Sequence, residues 1–412
     1  MKILLYEYVS GGGLATEALP SGLLCEGYAM LRSLTEDFKA AGHEITVQLD
    51  ARIAQYNPPL KADKILQVSS PDGFEQALEK AIGSIEAAYV IAPESNGTLQ
   101  FLVERVEDSG LLSLNSPSVA VARAADKAAV IERAKGLGLF FPKTLMINAS
   151  DSVAKATEAV VCNVGFPAVI KPLSGAGCSG LNIVRDETEA EEAILQITEG
   201  QSSDGIIAQE LIEGTPASVS LLCNGKTAEP VSLNLQDITL TPPDGISTYN
   251  GGFVPLEHPL KKEAFDAAKS LAESFDCLKG YICVDLVLGN EKVFIAEINP
   301  RLTTSYIGLR KVINLNVAQA LIEASENQLI PDIELKGVSF FAKVPISRPI
   351  IFAWEKFCKM EALISPPFPL YGEEISYGLI QSCGNTMDDA MRRMQDVKVQ
   401  LQQIWEKGQH PW

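Results

Sequence analysis

The sequence predicts an α/β protein that opens on a parallel, doubly wound sheet and continues into smaller α+β units. Three observations carry this expectation. Strand-like and helix-like segments alternate up to about residue 115, the order produced when crossover helices join parallel strands. Beyond Gly214 strand signals dominate and include a hairpin across Tyr281 to Asn299, which reads as antiparallel pairing. A chain of 412 residues that is 46% hydrophobic can bury the cores of two to four domains.

Residues 2–9 read as a buried strand and Ser10–Gly13 as a glycine loop. Helical periodicity covers 28–41 and stops at Gly42; 44–49 is a strand ending at Asp50. A helix over 74–85, a strand over 87–91, a helix over 99–109 and a strand over 111–114 complete the first unit. Ligands of such sheets bind beyond the carboxyl ends of strands, which places Ser10–Gly13, Asp50 and Glu94 near a crevice. The stretch 119–136 is helical throughout. Strands at 144–147, 168–171, 181–184 and 206–209, with helices at 152–161 and 187–196, then form a unit the size of a lid. Strands at 217–223, 230–235, 281–288 and 293–298 and helices at 263–275 and 317–324 follow. The tail mixes short strands with a polar helix over 387–405. The expected division is 1–118, 119–213, 214–334 and a C-terminal α+β extension at 335–412.

Composition narrows the function. A formal net charge of -18 repels nucleic acid and anionic membranes, so neither is expected as a partner. Cys25, Cys162, Cys178, Cys223, Cys277, Cys283, Cys358 and Cys383 form no CxxC pair and have no histidine at zinc-ligand spacing. They read as reduced cysteines in a cytoplasmic protein. Glu7 interrupts the apolar start too early for a signal peptide, and no run reaches the roughly 18–20 apolar residues that span a bilayer.

The strongest constellation lies in the hairpin. Asp285 sits in the apolar strand YICVDLVL, and the return strand VFIAEINPR carries Glu297 and Asn299. Residues two apart share a sheet face, so Glu297 and Asn299 point the same way. Asp285 joins them only if the loop has an odd count or the strand a bulge, and that arrangement is the expected one. Two carboxylates and an amide on one face suit a hard cation that also takes waters and substrate phosphates. Buried acids without such a partner would cost several kcal/mol.

The second constellation is cationic. Lys171 ends the strand AVIKP, and the small-residue loop SGAGCSG follows at once. Backbone N–H groups free of side chains can approach phosphate oxygens closely, and a lysine adds positive charge. The order excludes GxxxxGK[ST], because the lysine precedes the glycines. Alone, this loop also fits a plain hairpin turn, Lys127 a solvated helix lysine, and AQELIEG a strand running into exposed acids.

Taken together, Asp126-Lys127, VIKP with its glycine loop, AQELIEG, Asp285 and Glu297-Ile298-Asn299-Pro300-Arg301 resemble the ATP-grasp superfamily of carboxylate–amine ligases over about residues 1–330. The resemblance implies a Rossmann-like first domain, a small lid domain and a C-terminal ATP-grasp domain with an antiparallel sheet. It implies that Lys127 and Lys171 hold ATP phosphates under a lid of Ser174, Gly175, Gly177, Cys178, Ser179 and Gly180. Gln209, Glu210, Leu211 and Ile212 would line the adenine pocket, with Glu213 near the ribose. Asp285, Glu297 and Asn299 would bind Mg²⁺ or Mn²⁺, two ions in all, and Arg301 would steady the transferring phosphoryl group beside Lys171.

The opening KILLYEYVSGGG and the runs TYNGGFVPL and EINPRLTTSYIGL are similar to the branch containing the tyramine–L-glutamate ligases of methanofuran biosynthesis. That similarity implies a glutamate γ-carboxylate activated as an acyl-phosphate and attacked by an amine. Substrate contacts are expected from loops carrying Gly11, Gly12, Glu94, Asn96, Tyr249, Asn250, Thr303, Thr304 and Ser305. A homodimer is common in the superfamily. Other amino-acid ligases would use the same phosphate and metal residues, and a catalytically silent ATP-binding regulator is the alternative of another class.

Overall fold

The apolar run Lys2–Glu7 forms β1, and its alternate side chains enter different cores: Ile3 and Leu5 pack on one face, Leu4 and Tyr6 on the other. A strand buried on both faces is the centre of a parallel sheet with helices on each side. The computed structural model describes residues 1–409 apart from 71, 82, 149, 174–177, 179, 201–204, 329–331, 348–350 and 373. After β1 come α1 (Ser21–Ala40), β2 (Glu44–Asp50), α2 (Ala51–Ala54), β3 (Lys64–Val68), α3 (Gly73–Ala81), β4 (Ala87–Ile91), α4 (Thr98–Asp108) and β5 (Leu112–Ser113). The strands pair in parallel in the order β3-β2-β1-β4-β5. Strand order reverses at β1 and β4, so a crevice opens beyond Glu7 and Ile91.

α1, α2 and β3 depart from expectation here, α2 being a single turn capped by Asp50. α1 begins at Ser21, well before residue 28, because Gly22 and Gly27 dilute the apolar periodicity. Gly27 is required: a Cβ there would lie 2.4 Å from the Glu7 carboxyl carbon. β3 escapes notice because it is a half-exposed edge strand with only a short apolar signal.

The expected helix over 119–136 is two helices, α5 (Ser118–Ala125) and α6 (Lys127–Gly136). Asp126 breaks them with extended backbone and accepts from Ala128 N at 2.9 Å and Ala129 N at 3.1 Å, capping α6. Lys127 therefore occupies a helix start. β6 (Thr144–Ile147), α7 (Val153–Asn163), β7 (Ala168–Pro172), β8 (Asn182–Val184), α8 (Glu187–Glu199) and β9 (Ile206–Glu210) build a four-stranded antiparallel sheet, β6-β9-β7-β8, with its own apolar core.

The remaining chain supplies β10 (Thr215–Asn224), β11 (Ala228–Thr239), β12 (Thr248–Val254), α9 (Lys261–Glu273), β13 (Lys279–Leu288), β14 (Val293–Asn299), α10 (Ser305–Leu309) and α11 (Val317–Ser325). It ends in β15 (Val338–Ser347), α12 (Trp354–Lys359), β16 (Leu363–Ser365), β17 (Ile375–Gly384) and α13 (Met387–Gln409). One antiparallel sheet runs β14-β13-β10-β11-β12-β15-β17-β16. The residues after 334 extend this sheet through β15, β17 and β16. β12 makes the join and was expected to be loop. Its Gly251 and Gly252 mask a strand signal, yet Cβ atoms there would lie 2.1 Å from Phe341 O and 2.0 Å from Leu235 O. The tail also holds the first unit: Arg32 of α1 donates to the carbonyls of Leu363 and Ile364 at 3.0 Å each.

Candidate active site

Register decides the site. Leu288 pairs with Val293 across a four-residue turn, an even count that continued regularly would set Asp285 opposite Ala296. The pairing shifts between Asp285 and Leu286, so Asp285 faces Glu297 and Cys283 faces Asn299. This is the expected bulge, and it brings all three oxygen-bearing side chains to one face.

Asp285 accepts from Asn299 Nδ2 and from Gln236 Nε2, each at 2.9 Å. Burial and then the facing Glu297 push its carboxyl up to about 7 against those hydrogen bonds. Burial would raise Glu297 as well, but Lys127, Lys171 and Arg301 outweigh it and hold Glu297 below the ordinary range. Glu297 is packed deeply on one side while 37% of its side chain opens to the cleft, where Lys127 Nζ stands 3.7 Å from its carboxylate. Burial lowers Lys171, against the pull of Glu297.

These groups line one cleft of 750 Å³ between the three sheets. A divalent cation fits its acidic face. The donors are hard oxygens, and the burial and then the repulsion that raise Asp285 are what a cation would offset. Among the described residues no group of three or more His, Cys, Asp or Glu side chains is placed to hold a metal. An ion here must therefore complete its shell from Asn299, water and phosphate oxygens, the habit of Mg²⁺.

Farther along, Val130, Ile131, Phe141, Met146, Leu286 and Ile298 give the cleft an apolar end. Of the AQELIEG run only Gln209 reaches it, and its amide donates to Thr144 Oγ1 at 2.9 Å. Glu210, Leu211, Ile212 and Glu213 are not among the lining residues. The sequence reading missed the apolar wall, for which Met146, 41% exposed on a short strand, is the one visible sign. In the glycine loop Cys178 lines the cleft and burial pushes its thiol up to about 11. Gly180 adopts φ +70. Ser174, Gly175, Gly177 and Ser179 lie outside the described residues.

At the crevice end the structure separates the expected substrate residues. Glu94, Asn96, Tyr249, Thr303, Thr304 and Ser305 line the cleft; Gly11, Gly12 and Asn250 do not. Gly11 and Gly12 serve a packed turn, with Gly11 N donating to Glu7 O at 2.7 Å and Gln48 Nε2 to Gly11 O at 2.8 Å. Tyr249 and Asn250 lie on β12 instead of a loop, and Asn250 Nδ2 turns to Thr239 Oγ1 at 3.1 Å. Arg301 enters the cleft paired with Glu94, its Nη2 and Nε donating to Oε2 at 3.0 and 3.1 Å. Two further acids went unnoticed. Glu7 ends β1, and Glu26 lies mid-helix on α1, where Lys343 Nζ meets its Oε1 at 2.8 Å. Nothing in sequence links Glu26 to a lysine on β15.

A cleft with cations, opposed acids and an apolar end, set between a parallel domain and antiparallel sheets, defines a nucleotide-using ligase. Two family profiles agree: a pre ATP-grasp 3 domain matches residues 43–121 and an ATP-grasp domain matches residues 124–305. The chain belongs to the ATP-grasp superfamily and is an ATP-dependent carboxylate–amine ligase. ATP-grasp enzymes use ATP and Mg²⁺.

More particularly, the chain is similar to proteins named tyramine–L-glutamate ligase. That of Methanocaldococcus jannaschii is 26% identical over 344 residues, covering 82% of this chain and 93% of the relative. That of Methanocaldococcus fervens is 28% identical over 332 residues, covering 79% and 94%. The fold is also that of an ATP-grasp superfamily protein from Archaeoglobus fulgidus, with a TM-score of 0.63 at 22% identity, covering 92% of this chain and 99% of the other.

Proposed function

We propose that the chain joins the γ-carboxylate of L-glutamate to tyramine in methanofuran biosynthesis, through an acyl-phosphate. The observation that carries the ligase chemistry is the Asp285–Glu297 pair facing Lys127, Lys171 and Arg301 in one cleft. The names of the relatives carry the choice of substrates. Mg²⁺, two ions in this reading, would be held by Asp285, Glu297 and Asn299 and would neutralise charge developing on the transferred phosphoryl group.

The remaining roles belong to the chain's own residues. Lys127 and Lys171 bind the nucleotide phosphates, and burial that weakens the lysine charge at Lys171 is offset when an anion arrives. Arg301, fixed by Glu94, faces the reacting carboxylate and binds the phosphoryl oxygens. Gln209 and the apolar end around Met146 and Leu286 receive the adenine ring, with Glu210 to Glu213 at its margin. Water must be kept from the phosphates during the reaction, because it would hydrolyse the acyl-phosphate. Thr303, Thr304 and Tyr249 line the region left for glutamate. Positioning and charge compensation supply the catalysis, and no covalent enzyme intermediate is needed.

The test is phosphate release with ATP, Mg²⁺ and L-glutamate across a panel of amines that includes tyramine. Turnover that needs both glutamate and tyramine, with a product of the mass of their amide, supports the proposal. Turnover with other amino-acid pairs only would keep the ligase and discard these substrates. Tight ATP binding without turnover on any pair would favour a regulatory protein.

A further inference from the structure

Three carboxylates of the first sheet unit line the cleft: Glu7, Glu26 and Glu94. Two of them are fully engaged. Glu7 accepts from Val9 N at 3.1 Å through Oε1, and from Ser10 N and Ser10 Oγ at 2.7 and 2.6 Å through Oε2. Glu26 meets Lys343 through Oε1 and accepts from Thr304 Oγ1 at 3.3 Å through Oε2. Glu94 differs. Both guanidinium contacts from Arg301 fall on Oε2, and Oε1 is buried with no hydrogen-bond partner among the described residues.

A buried carboxylate oxygen without a donor is costly, and such groups call for a partner. The missing partner must be an N–H or O–H donor, and a cationic donor fits best, because burial disfavours the Glu94 charge and Arg301 only partly restores it. This oxygen sits one carboxyl group away from Arg301, the residue placed at the reacting carboxylate. The amine substrate must arrive at that point. An alkylamine is protonated at neutral pH, as lysine is, and must shed a proton before it can attack.

We propose that Glu94 is the receiving site for the amine substrate, its unpartnered Oε1 binding the ammonium and taking the first proton that must leave. This rests on the ligase reading above. The ammonium passes one proton to Glu94 Oε1, and the freed lone pair forms the C–N bond at the acyl carbon. The C–O bond to phosphate breaks. The leaving phosphate takes the second nitrogen proton, and Glu94 returns the first to solvent. Oε2 stays with Arg301 throughout, so one side chain fixes the phosphoryl-binding cation and the nucleophile relative to each other.

The experiment compares two nucleophiles in wild type and Glu94→Gln, with ATP, Mg²⁺ and L-glutamate. Tyramine is cationic. Hydroxylamine is largely neutral near pH 7 and traps an acyl-phosphate as a hydroxamate. The expected result is a fall in kcat/KM for tyramine of about 100-fold, the scale of breaking one buried charged pair. Weakening the Arg301 pair acts on both nucleophiles alike, so hydroxamate formation should fall as well, but by at least about 10-fold less than turnover of tyramine. ADP binding by calorimetry reports folding. Should Glu94→Gln fail to bind ADP, Glu94→Asp keeps the charge, withdraws the oxygen, and should show the same selective loss.

An equal fall with both nucleophiles would overturn the proposal and reduce Glu94 to a positioning residue for Arg301. Unchanged tyramine kinetics would leave only water at Oε1 and overturn it too. If the wild type makes no hydroxamate from glutamate, the ligase reading with this substrate fails, and this assignment fails with it.

Discussion

The two walls of the cleft are built from different distances along the chain. The wall with the opposed acids is short-range: Asp285, Glu297 and Asn299 lie on two strands joined by one turn, and a single bulge aligns them. The opposite wall is long-range. Glu94 meets Arg301 from 207 residues away, and Glu26 meets Lys343 across 317. The first wall carries its charges in one stretch of sequence. The second acquires its pairs only when β1, β4, α1 and β15 are packed together. A local motif can therefore announce chemistry long before the residues that select substrates become visible.

Three substitutions test this contrast, and a fourth outside the cleft is their control. Glu297→Ala removes the acid that Lys127, Lys171 and Arg301 share. Phosphate release should fall about 1,000-fold or more, since charge compensation here is worth several kcal/mol; near-normal turnover would end the metal assignment. On the opposite wall, Lys343→Met leaves Glu26 buried without its cation. A cost of about 3 kcal/mol in denaturant unfolding is expected, partly recovered by adding Glu26→Gln. No loss of stability would mean that β15 does not hold this wall through charge.

Arg301→Ala joins the two walls in one test, because it removes the proposed phosphoryl contact and unpairs Glu94. A kcat lower by about 100-fold with little change in the KM for ATP is expected. A rise in KM alone would make Arg301 a ground-state binding residue. The smallest effect lies outside the cleft. Asp63 accepts from Lys39 Nζ at 2.7 Å and from Ile45 N at 2.6 Å, and first the lysine and then the amide hold its carboxyl below the ordinary range. Such a group stabilises above its unfolded pKa and loses that contribution as pH falls through the folded one. With 38% of the side chain exposed, Asp63→Asn should cost no more than about 0.5 kcal/mol at neutral pH, vanishing in acid. A cost that persists in acid would assign it to the Ile45 hydrogen bond.

Much of the first sheet was legible because its strands are continuous apolar runs ended by Gly, Pro or Asp. What escaped did so for physical reasons. β12 carries two glycines that weaken its strand signal, and these same glycines let Leu235 and Phe341 approach closely enough to pair. The break at Asp126 was hidden because a capping aspartate looks like any surface acid until its carboxylate turns onto the next amides. The apolar end of the cleft escaped as well. Val130, Met146 and Leu286 come from three separate segments, and no spacing connects them.

Residue types and local spacing were enough to establish the parallel domain, the hairpin with its three oxygen-bearing side chains and the lysine that precedes a glycine loop, because each carries its signal within a short stretch of chain. Packing at long range supplied the rest. It carried the tail into the same sheet, paired Arg301 with Glu94 and Lys343 with Glu26, and left one buried oxygen of Glu94 without a donor among the described residues. Such pairings record which surfaces meet when three sheets close on a common cleft, and no local pattern in the chain encodes them.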